Sequence, residues 1–229
     1  MARVAPKNQE TKIVTQTGTP QGRDNRTTIL AAVVAAVLLG LVAIFLLTRG
    51  GDADLAKYEG IPQDGVFLGS AEAPVTVQEY LDFKCSHCRD AHQSVMPTII
   101  EDYVKDGQVR VEFIPVGALS QESAIAAQAA LCAADQNQFV GYYDQVFANY
   151  GSTMNIDNLT RYADAVGLDT GAFRACLTSS QTAQQVNDNT QALIGGEGGS
   201  TPTFVVNGDA RVVGADLTGL KNAIDAALQ

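Results

Sequence analysis

The chain has 229 residues, of which 46% are hydrophobic, enough for one medium-sized domain with appendages. Its formal net charge is −10, from 15 basic and 25 acidic side chains. A chain this acidic lacks a basic face that could meet phosphates, which argues against nucleic acid as a partner.

The first feature along the chain is an apolar run. Residues 29–47 carry no charge and lie between Arg26 and Arg49. As a helix, a run of this length spans roughly the 30 Å core of a bilayer. The alternative is a cleaved signal peptide, but its apolar region is usually shorter and nearer the start, and no clean A-x-A site follows. We therefore expect a retained transmembrane anchor over residues 29–48.

The charge on either side of this run predicts its orientation. Residues 1–28 carry five basic and two acidic side chains, whereas residues 49–229 carry ten basic and 23 acidic ones. Positively charged flanks stay in the cytoplasm. We expect a disordered cytoplasmic tail over 1–28, a linker over 49–64 and a domain outside the cytoplasm over 65–229. Disulfides persist in such an oxidising compartment.

Hydrophobic periodicity predicts the first elements of this domain. An alternating pattern indicates a strand over residues 75–83, and apolar residues at every fourth position indicate an amphipathic helix through 91–103. Pro97 should kink that helix because proline removes an intrahelical hydrogen bond. A second alternating pattern indicates a strand over 109–116.

The second half of the domain reads as helices followed by a hairpin. Residues 120–195 show apolar stripes at helical spacing, and residues 203–213 contain Asn207-Gly208, the strongest short hairpin signal. A strand–helix–strand unit favours parallel pairing, and a tight hairpin is antiparallel. The predicted class is α/β, a mixed sheet flanked by helices with a helical insertion over about 118–196.

The chemistry is concentrated at Cys85-Ser86-His87-Cys88, where the first strand meets its helix. A helix N-terminus favours the thiolate of the first cysteine, and Lys84 and a protonated His87 add to that effect. Cysteines in such settings have pKa values of about 3.5–7.5 instead of about 8.5. The pattern indicates dithiol–disulfide exchange, with Cys85 as nucleophile and Cys88 as its buried partner.

Metal binding is the rival interpretation of the same pair. A closed zinc site takes four ligands, and Cys85 and Cys88 supply two. His92 could be a third ligand and His87 a fourth, but no second Cys or His pair completes the set. Haem attachment needs Cys-x-x-Cys-His, and Arg89 follows the second cysteine here. A non-enzymatic metal-binding module remains an alternative.

Two motifs together carry a family resemblance. Residues 83–89, Phe-Lys-Cys-Ser-His-Cys-Arg, and residues 199–204, Gly-Ser-Thr-Pro-Thr-Phe, resemble the DsbA-like branch of the thioredoxin superfamily, most closely its membrane-anchored bacterial members. The resemblance covers about residues 61–229. It implies a thioredoxin fold with an inserted helical subdomain, preceded by one transmembrane helix in the bacterial cell membrane. The family often has Pro-His between its cysteines, where this chain has Ser86-His87.

The resemblance also implies roles at the CxxC site. His87 occupies the dipeptide position that tunes the redox couple. The Thr201–Pro202 peptide would be cis and lie against the CxxC, so that the Thr201 backbone could pair with an extended substrate segment.

Two acids precede the CxxC. Glu79 falls where relatives carry a buried acid below the active site, which could relay a proton to or from Cys88. Asp82 is the alternative acid for that role, and a plain surface acid is the alternative interpretation of either residue.

The other two cysteines, Cys132 and Cys176, lie on predicted helices of the insertion. Some family members have a second disulfide in this block, so the resemblance implies a structural Cys132–Cys176 bridge. Two buried free thiols are the alternative.

The resemblance implies an oxidoreductase that passes the Cys85–Cys88 disulfide to newly exported proteins with free thiols, with no cofactor and no metal. A quinone-linked membrane oxidase of the DsbB or vitamin-K-epoxide-reductase type would reoxidise it. A reductase or isomerase would use the same residues. The short linker leaves no room for the dimerisation domain of dedicated isomerases.

Overall fold

The computed structural model describes residues 29–30, 32–37, 40, 56–196 and 199–229. The chain divides into two compact units, Met1–Gly50 and Gly51–Gln229. The described residues of the first unit are helical. No helix in the described ranges is both long enough and apolar enough to cross a membrane. Most of the expected anchor over 29–48, and the whole expected tail over 1–28, lie outside the described residues.

The second unit is built on a six-stranded mixed sheet with the strand order β1-β2-β4-β3-β5-β6. The central pair, β3 and β4, is parallel, with Val77 opposite Val111, and all other neighbouring pairs are antiparallel. The strands are β1 Gln63–Asp64, β2 Phe67–Leu68, β3 Val75–Leu81, β4 Val109–Pro115, β5 Thr203–Val206 and β6 Ala210–Val213. The predicted parallel unit and antiparallel hairpin are both confirmed.

Helices flank this sheet, and five of them form the predicted insertion. Before the insertion come a 3₁₀ turn, Ala56–Tyr58, and then α1 Ser86–Ser94, α2 Met96–Ile99 and a π-helical turn, Ile100–Val104. The insertion and the C-terminal helix comprise α3 Gln121–Ala134, α4 Phe139–Ala148, α5 Ile156–Ala165, α6 Thr170–Leu177, α7 Ser180–Gly195 and α8 Leu217–Ala227. Side-chain N-caps begin α3, α5, α6, α7 and α8, which explains their sharp starts.

The helix after the CxxC is interrupted where Pro97 predicted a kink. Helix α1 ends at Ser94, and Pro97 lies in the first turn of α2, where its missing N–H needs no intrahelical partner. Helix α2 is followed by the π-helical turn Ile100–Val104, which precedes β4.

The insertion packs against the sheet through aromatic rings. The Phe113 ring on β4 stacks on Phe139, with ring centroids 4.9 Å apart, and Tyr143 lies 5.1 Å from Phe113. On its other side Tyr143 meets Phe147 and Phe83, the latter from the loop before the CxxC. This cluster joins α4, β4 and the CxxC loop into one core.

The expected linker over 49–64 is wrong for residues 56–64, which are folded. Tyr58 is buried, and its hydroxyl donates to Asp144 of α4 at 3.0 Å. Residues Gln63–Asp64 pair with β2 as the edge strand of the sheet. The polar composition of this segment indicated a linker, but the hydrogen bond to the buried Asp144 carboxylate, 86 residues away, holds the segment against the domain.

Candidate active site

The two CxxC cysteines lie at the start of α1, and three residues separate the end of β3 from Cys85. The backbone turns tightly there, because the N–H of Cys85 donates to the carbonyl of Asp82 at 3.0 Å. Cys85 is the N-cap residue of α1, with extended backbone angles, and its carbonyl accepts the first helical hydrogen bond, from Arg89. The predicted strand over 75–83 therefore stops at Leu81, because this turn begins immediately after it.

The two thiols have opposite environments. A hydrogen bond from the Cys88 thiol is the largest effect on Cys85, and hydrogen bonds from the Thr201 side chain and from the backbone amides of Cys88 and His87 add to it. Together they outweigh burial and lower the pKa of Cys85 to about 5. Helix-start amides that favour a thiolate are the physical basis of a reactive cysteine.

Cys88 is fully buried one turn into α1. Burial raises its pKa far above the ordinary value, and its interactions with Cys85 and Glu79 raise it further, while a hydrogen bond from the Asp82 amide opposes them. That amide lies 3.3 Å from the Cys88 sulfur. When the reduced pair loses one proton, the negative charge therefore resides on Cys85.

Glu79 lies in the middle of β3 and is fully buried. Burial raises the pKa of Glu79 to about 8, although a hydrogen bond with Tyr143 counteracts this. The Tyr143 hydroxyl donates to Glu79 Oε1 at 3.4 Å, and Glu79 Oε2 has no hydrogen-bond partner among the described residues. A neutral acid next to the buried cysteine can hold a proton that a leaving thiolate needs.

The Thr201–Pro202 peptide is cis and lies directly against the CxxC. The Cys85 sulfur lies 3.2 Å from the Thr201 carbonyl oxygen, to which the thiol donates when it is protonated. A groove of about 420 Å³ opens at this contact, and Cys85 lines it although only 8% of the residue is exposed. It is lined by Cys85, His87, Ala118, Leu119, Gly199, Ser200, Thr201, Val213 and Gly214.

The two cationic side chains expected beside Cys85 have different surroundings. Lys84 forms an ion pair with Glu122 of α3 at 2.8 Å. The side chain of His87 is exposed and lines the groove, while its backbone amide is the group that favours the Cys85 thiolate.

Asp82 is engaged in a way that its position in the sequence did not indicate. Its carboxylate is fully buried and accepts backbone N–H groups from Lys84, Ala118 and Leu119 at 2.8–3.1 Å. With both oxygens occupied by amides, Asp82 is not the free acid that a proton relay needs. Of the two acids, Glu79 is the one whose electrostatic interaction with Cys88 helps to raise the pKa of that thiol.

His92, the candidate third metal ligand, is bound elsewhere. Its Nε2 atom lies 2.7 Å from Asp144 Oδ1, and its ring stacks on Phe147. Across the described residues, no group of three or more His, Cys, Asp or Glu side chains is arranged to hold a metal ion.

The structure pairs the remaining two cysteines. Cys132 of α3 and Cys176 of α6 form a disulfide with a Cα–Cα distance of 5.7 Å, within the insertion. Cys132 is buried and Cys176 half-buried.

Comparison with known proteins places these features in a family context. A family model described as Thioredoxin matches residues 62–226, a segment that contains both CxxC cysteines and the Thr201–Pro202 peptide. Oxidised BdbD from Bacillus subtilis superposes with a TM-score of 0.65 at 24% identity, covering 73% of this chain and 97% of that one. A thioredoxin-like oxidoreductase from Silicibacter pomeroyi DSS-3 gives a TM-score of 0.61 at 29% identity, covering 74% and 92%.

Two kinds of curated relative match the chain. Probable disulfide bond formation protein D of Bacillus anthracis is 24% identical over 88% of this chain and 94% of its own length. Na(+)/H(+) antiporter NhaA 3 of Salinispora tropica is 31% identical over 79% of this chain. The chain spans only 28% of the length of that antiporter, so the transport activity in its name describes a much longer protein.

Proposed function

Because this chain belongs to the thioredoxin family, as a DsbA-like protein-disulfide oxidoreductase, we propose that it works outside the cytoplasm as a dithiol oxidase. It donates the Cys85–Cys88 disulfide to exported proteins that carry free thiols. The observation that carries this proposal is the contrast between a stabilised Cys85 thiolate and a buried, neutral Cys88.

This contrast supports oxidation over reduction for a thermodynamic reason. The hydrogen bonds to Cys85 can form fully only when its sulfur is a thiolate, so they stabilise the reduced enzyme. A dithiol whose reduced form is stabilised is a strong oxidant when it is in the disulfide form. A low pKa also makes Cys85 the better leaving group when the substrate is released.

The reaction proceeds by two thiol–disulfide exchanges. A substrate thiolate attacks the Cys85 sulfur of the Cys85–Cys88 disulfide; a new S–S bond forms, and Cys88 leaves with the electron pair. A second thiolate of the substrate then attacks the substrate sulfur of this mixed disulfide, and Cys85 leaves as the thiolate. The substrate loses two electrons and the enzyme gains them.

Glu79 supplies the proton that the first exchange requires. Cys88 leaves into a fully buried environment, where a thiolate is costly, so it needs a proton at once. At neutral pH Glu79 is protonated because its pKa is raised to about 8. We assign Glu79 as the general acid for Cys88 in this step and as its general base in the reverse step.

The groove beside Cys85 holds the substrate chain. The Thr201 backbone lies within 3.2 Å of the Cys85 sulfur and can pair with an extended segment that presents its cysteine there. The exposed Leu119 and Val213 side chains offer apolar contacts in the groove.

The location outside the cytoplasm rests on charge and on cysteine chemistry. An apolar run over 29–48 with a basic N-terminal flank favours an anchor whose N-terminus is cytoplasmic. The Cys132–Cys176 disulfide suits an oxidising compartment. Reoxidation requires an electron acceptor, for which a quinone-linked membrane oxidase of the DsbB or vitamin-K-epoxide-reductase type is the partner we propose.

The reduction potential of the Cys85–Cys88 pair tests the direction of electron flow. The full-length protein is equilibrated with glutathione buffers, and its thiols are trapped and counted by mass. A Cys132→Ala/Cys176→Ala variant serves as control, because only one pair can titrate in it. A value near the ~−120 mV of strong oxidants supports the oxidase, and a value near ~−270 mV refutes it in favour of a reductase.

Accessibility of Cys85 in intact cells tests the location. A membrane-impermeant maleimide should label Cys85 after mild reduction, and a Cys85→Ser variant controls for other thiols. Labelling only after cell lysis would refute a site outside the cytoplasm without affecting the enzymatic assignment.

A further inference from the structure

Asp82 connects three parts of the active site through a single buried residue. Its backbone N–H donates to the Cys88 sulfur at 3.3 Å. Its Oδ1 atom accepts the N–H of Lys84, the residue before Cys85, at 2.8 Å. Its Oδ2 atom accepts the N–H groups of Ala118 and Leu119 at 3.0 and 3.1 Å. Hydrogen bonds from amides to a buried carboxylate are among the stronger ones in proteins.

The two loops that Asp82 joins both line the substrate groove. One carries Cys85 and His87, and the other carries Ala118 and Leu119. The Leu119 side chain is 59% exposed although its amide is bound to a fully buried carboxylate. A large apolar side chain is therefore held out into solvent at a fixed position beside the reactive sulfur.

The Leu119 loop is also fixed from its other side. Gly117 packs so closely on α3 that a Cβ atom there would lie 2.6 Å from the Ala124 backbone. The Gly117 N–H donates to the Thr190 hydroxyl of α7 at 3.0 Å. The loop that carries Leu119 is therefore packed against the insertion on one side, and hydrogen bonds to Asp82 connect it to the CxxC loop.

We propose that Asp82 is a positioning residue that sets the distance between Cys85 and the Leu119 side of the groove, and thereby determines how well a polypeptide competes with a small thiol. The inference rests on the proposed exchange reaction. A small thiol needs only the Cys85 sulfur, whereas a peptide needs the sulfur and the groove at one spacing. Errors of about 1 Å in such a spacing can cost about 100-fold in rate.

The Asp82→Asn variant tests this selectivity. The amide keeps the shape of the side chain but presents an NH₂ group to backbone donors at one of its two positions. Oxidised full-length enzyme is reacted with dithiothreitol and, separately, with a peptide that carries two cysteines next to leucine. We expect the ratio of the peptide rate to the dithiothreitol rate to fall about tenfold, mainly through a higher KM. Asp157→Asn, an exposed change on α5, is the matched control.

A double-mutant cycle with Leu119 separates positioning from a general effect on folding or on the cysteines. Leu119→Ala should lower the same ratio in the wild type. If Asp82 acts through Leu119, that effect should largely disappear in the Asp82→Asn background. Additive effects, or an equal loss for peptide and dithiothreitol in Asp82→Asn, would overturn the proposal.

The wild-type protein provides a measurement that does not depend on a folded variant. The amide protons of Ala118 and Leu119 should exchange slowly with deuterium although both residues are exposed, whereas the amide of Gly208 in the exposed hairpin turn should exchange fast. Fast exchange at both positions would refute the link. If the wild type reduces peptide disulfides and oxidises no dithiols, the oxidase fails, and the same ratio measured with oxidised peptide and oxidised glutathione still tests Asp82.

Discussion

Replacing the buried acid by its amide, Glu79→Gln, should change the pH dependence of both stability and catalysis. In the folded protein the pKa of Glu79 is raised to about 8, against an ordinary value of 4.5. Between these two pH values the folded state binds a proton that the unfolded state has released. The contribution of this group is therefore fully present below about pH 4.5 and is lost as the pH rises through about 8.

The size of the effect follows from the difference between the two pKa values. At the free energy of one pKa unit, the difference between 4.5 and about 8 corresponds to about 5 kcal/mol of stability, which the wild type loses as the pH rises through this range. Glutamine carries no such proton, so the stability of Glu79→Gln relative to the wild type should rise steadily between pH 5 and pH 8. The fully buried position of Glu79, whose Oε2 has no partner among the described residues, explains why the cost of its charge is large.

Urea unfolding of both proteins at pH 5, 6, 7 and 8 measures this difference. Glu72→Gln removes one carboxylate from the exposed surface and should keep the wild-type slope. In the same variants, peptide oxidation near pH 7 should be about 100-fold slower for Glu79→Gln, because the buried Cys88 loses its proton donor. The gap should narrow above pH 8, where the wild-type acid ionises. Parallel stability profiles for Glu79→Gln and wild type would refute the assignment of a buried neutral acid.

Three further predictions concern the cysteines. The thiolate absorbance of the reduced enzyme should titrate with a midpoint near pH 5, because the pKa of Cys85 is lowered to about 5. The lowered pKa stabilises the reduced form at higher pH, and this stabilisation is lost as the pH falls through 5. A midpoint above pH 8 would contradict the prediction. Cys88→Ser should accumulate substrate proteins linked to Cys85 after thiol trapping in cells, and a lack of reducible adducts would count against exchange. Replacing Cys132 and Cys176 by Ala should lower the free energy of unfolding by about 4 kcal/mol because the bridge spans 44 residues, and a urea-measured loss below about 1 kcal/mol would contradict the chain-entropy account.

Local signals predicted the sheet and its connections well. The hairpin forms where Asn207-Gly208 indicated it, since both residues adopt positive φ angles of 49° and 80°. The alternation in β3 and β4, with a helical pattern between them, identified the parallel pair that places the CxxC at the carboxyl end of β3. These features depend on neighbours in the sequence, so the sequence alone could indicate them.

The parts of the site that were missed depend on contacts between distant segments. Tyr143 reaches Glu79 across 64 residues, and the apolar stripes over residues 120–195 indicated only helices. Lys84 was expected to favour the Cys85 thiolate, but Glu122 of the insertion pairs with it instead. The buried state of Asp82 follows from amides 36 and 37 residues later, which no local pattern encodes.

Because aromatic side chains of the insertion pack against the sheet, the insertion cannot be removed without changing the surroundings of the active site. Tyr143 donates a hydrogen bond to the buried Glu79, and Tyr150 of the insertion donates to the Lys84 carbonyl at 3.0 Å. A minimal version without residues 118–196 would keep the CxxC sequence but would open Glu79 and Phe113 to water. Transplanting the four-residue motif onto a thioredoxin scaffold without the insertion would therefore transfer the nucleophilic cysteine. It would not transfer the buried environment of Glu79 that Tyr143 helps to form.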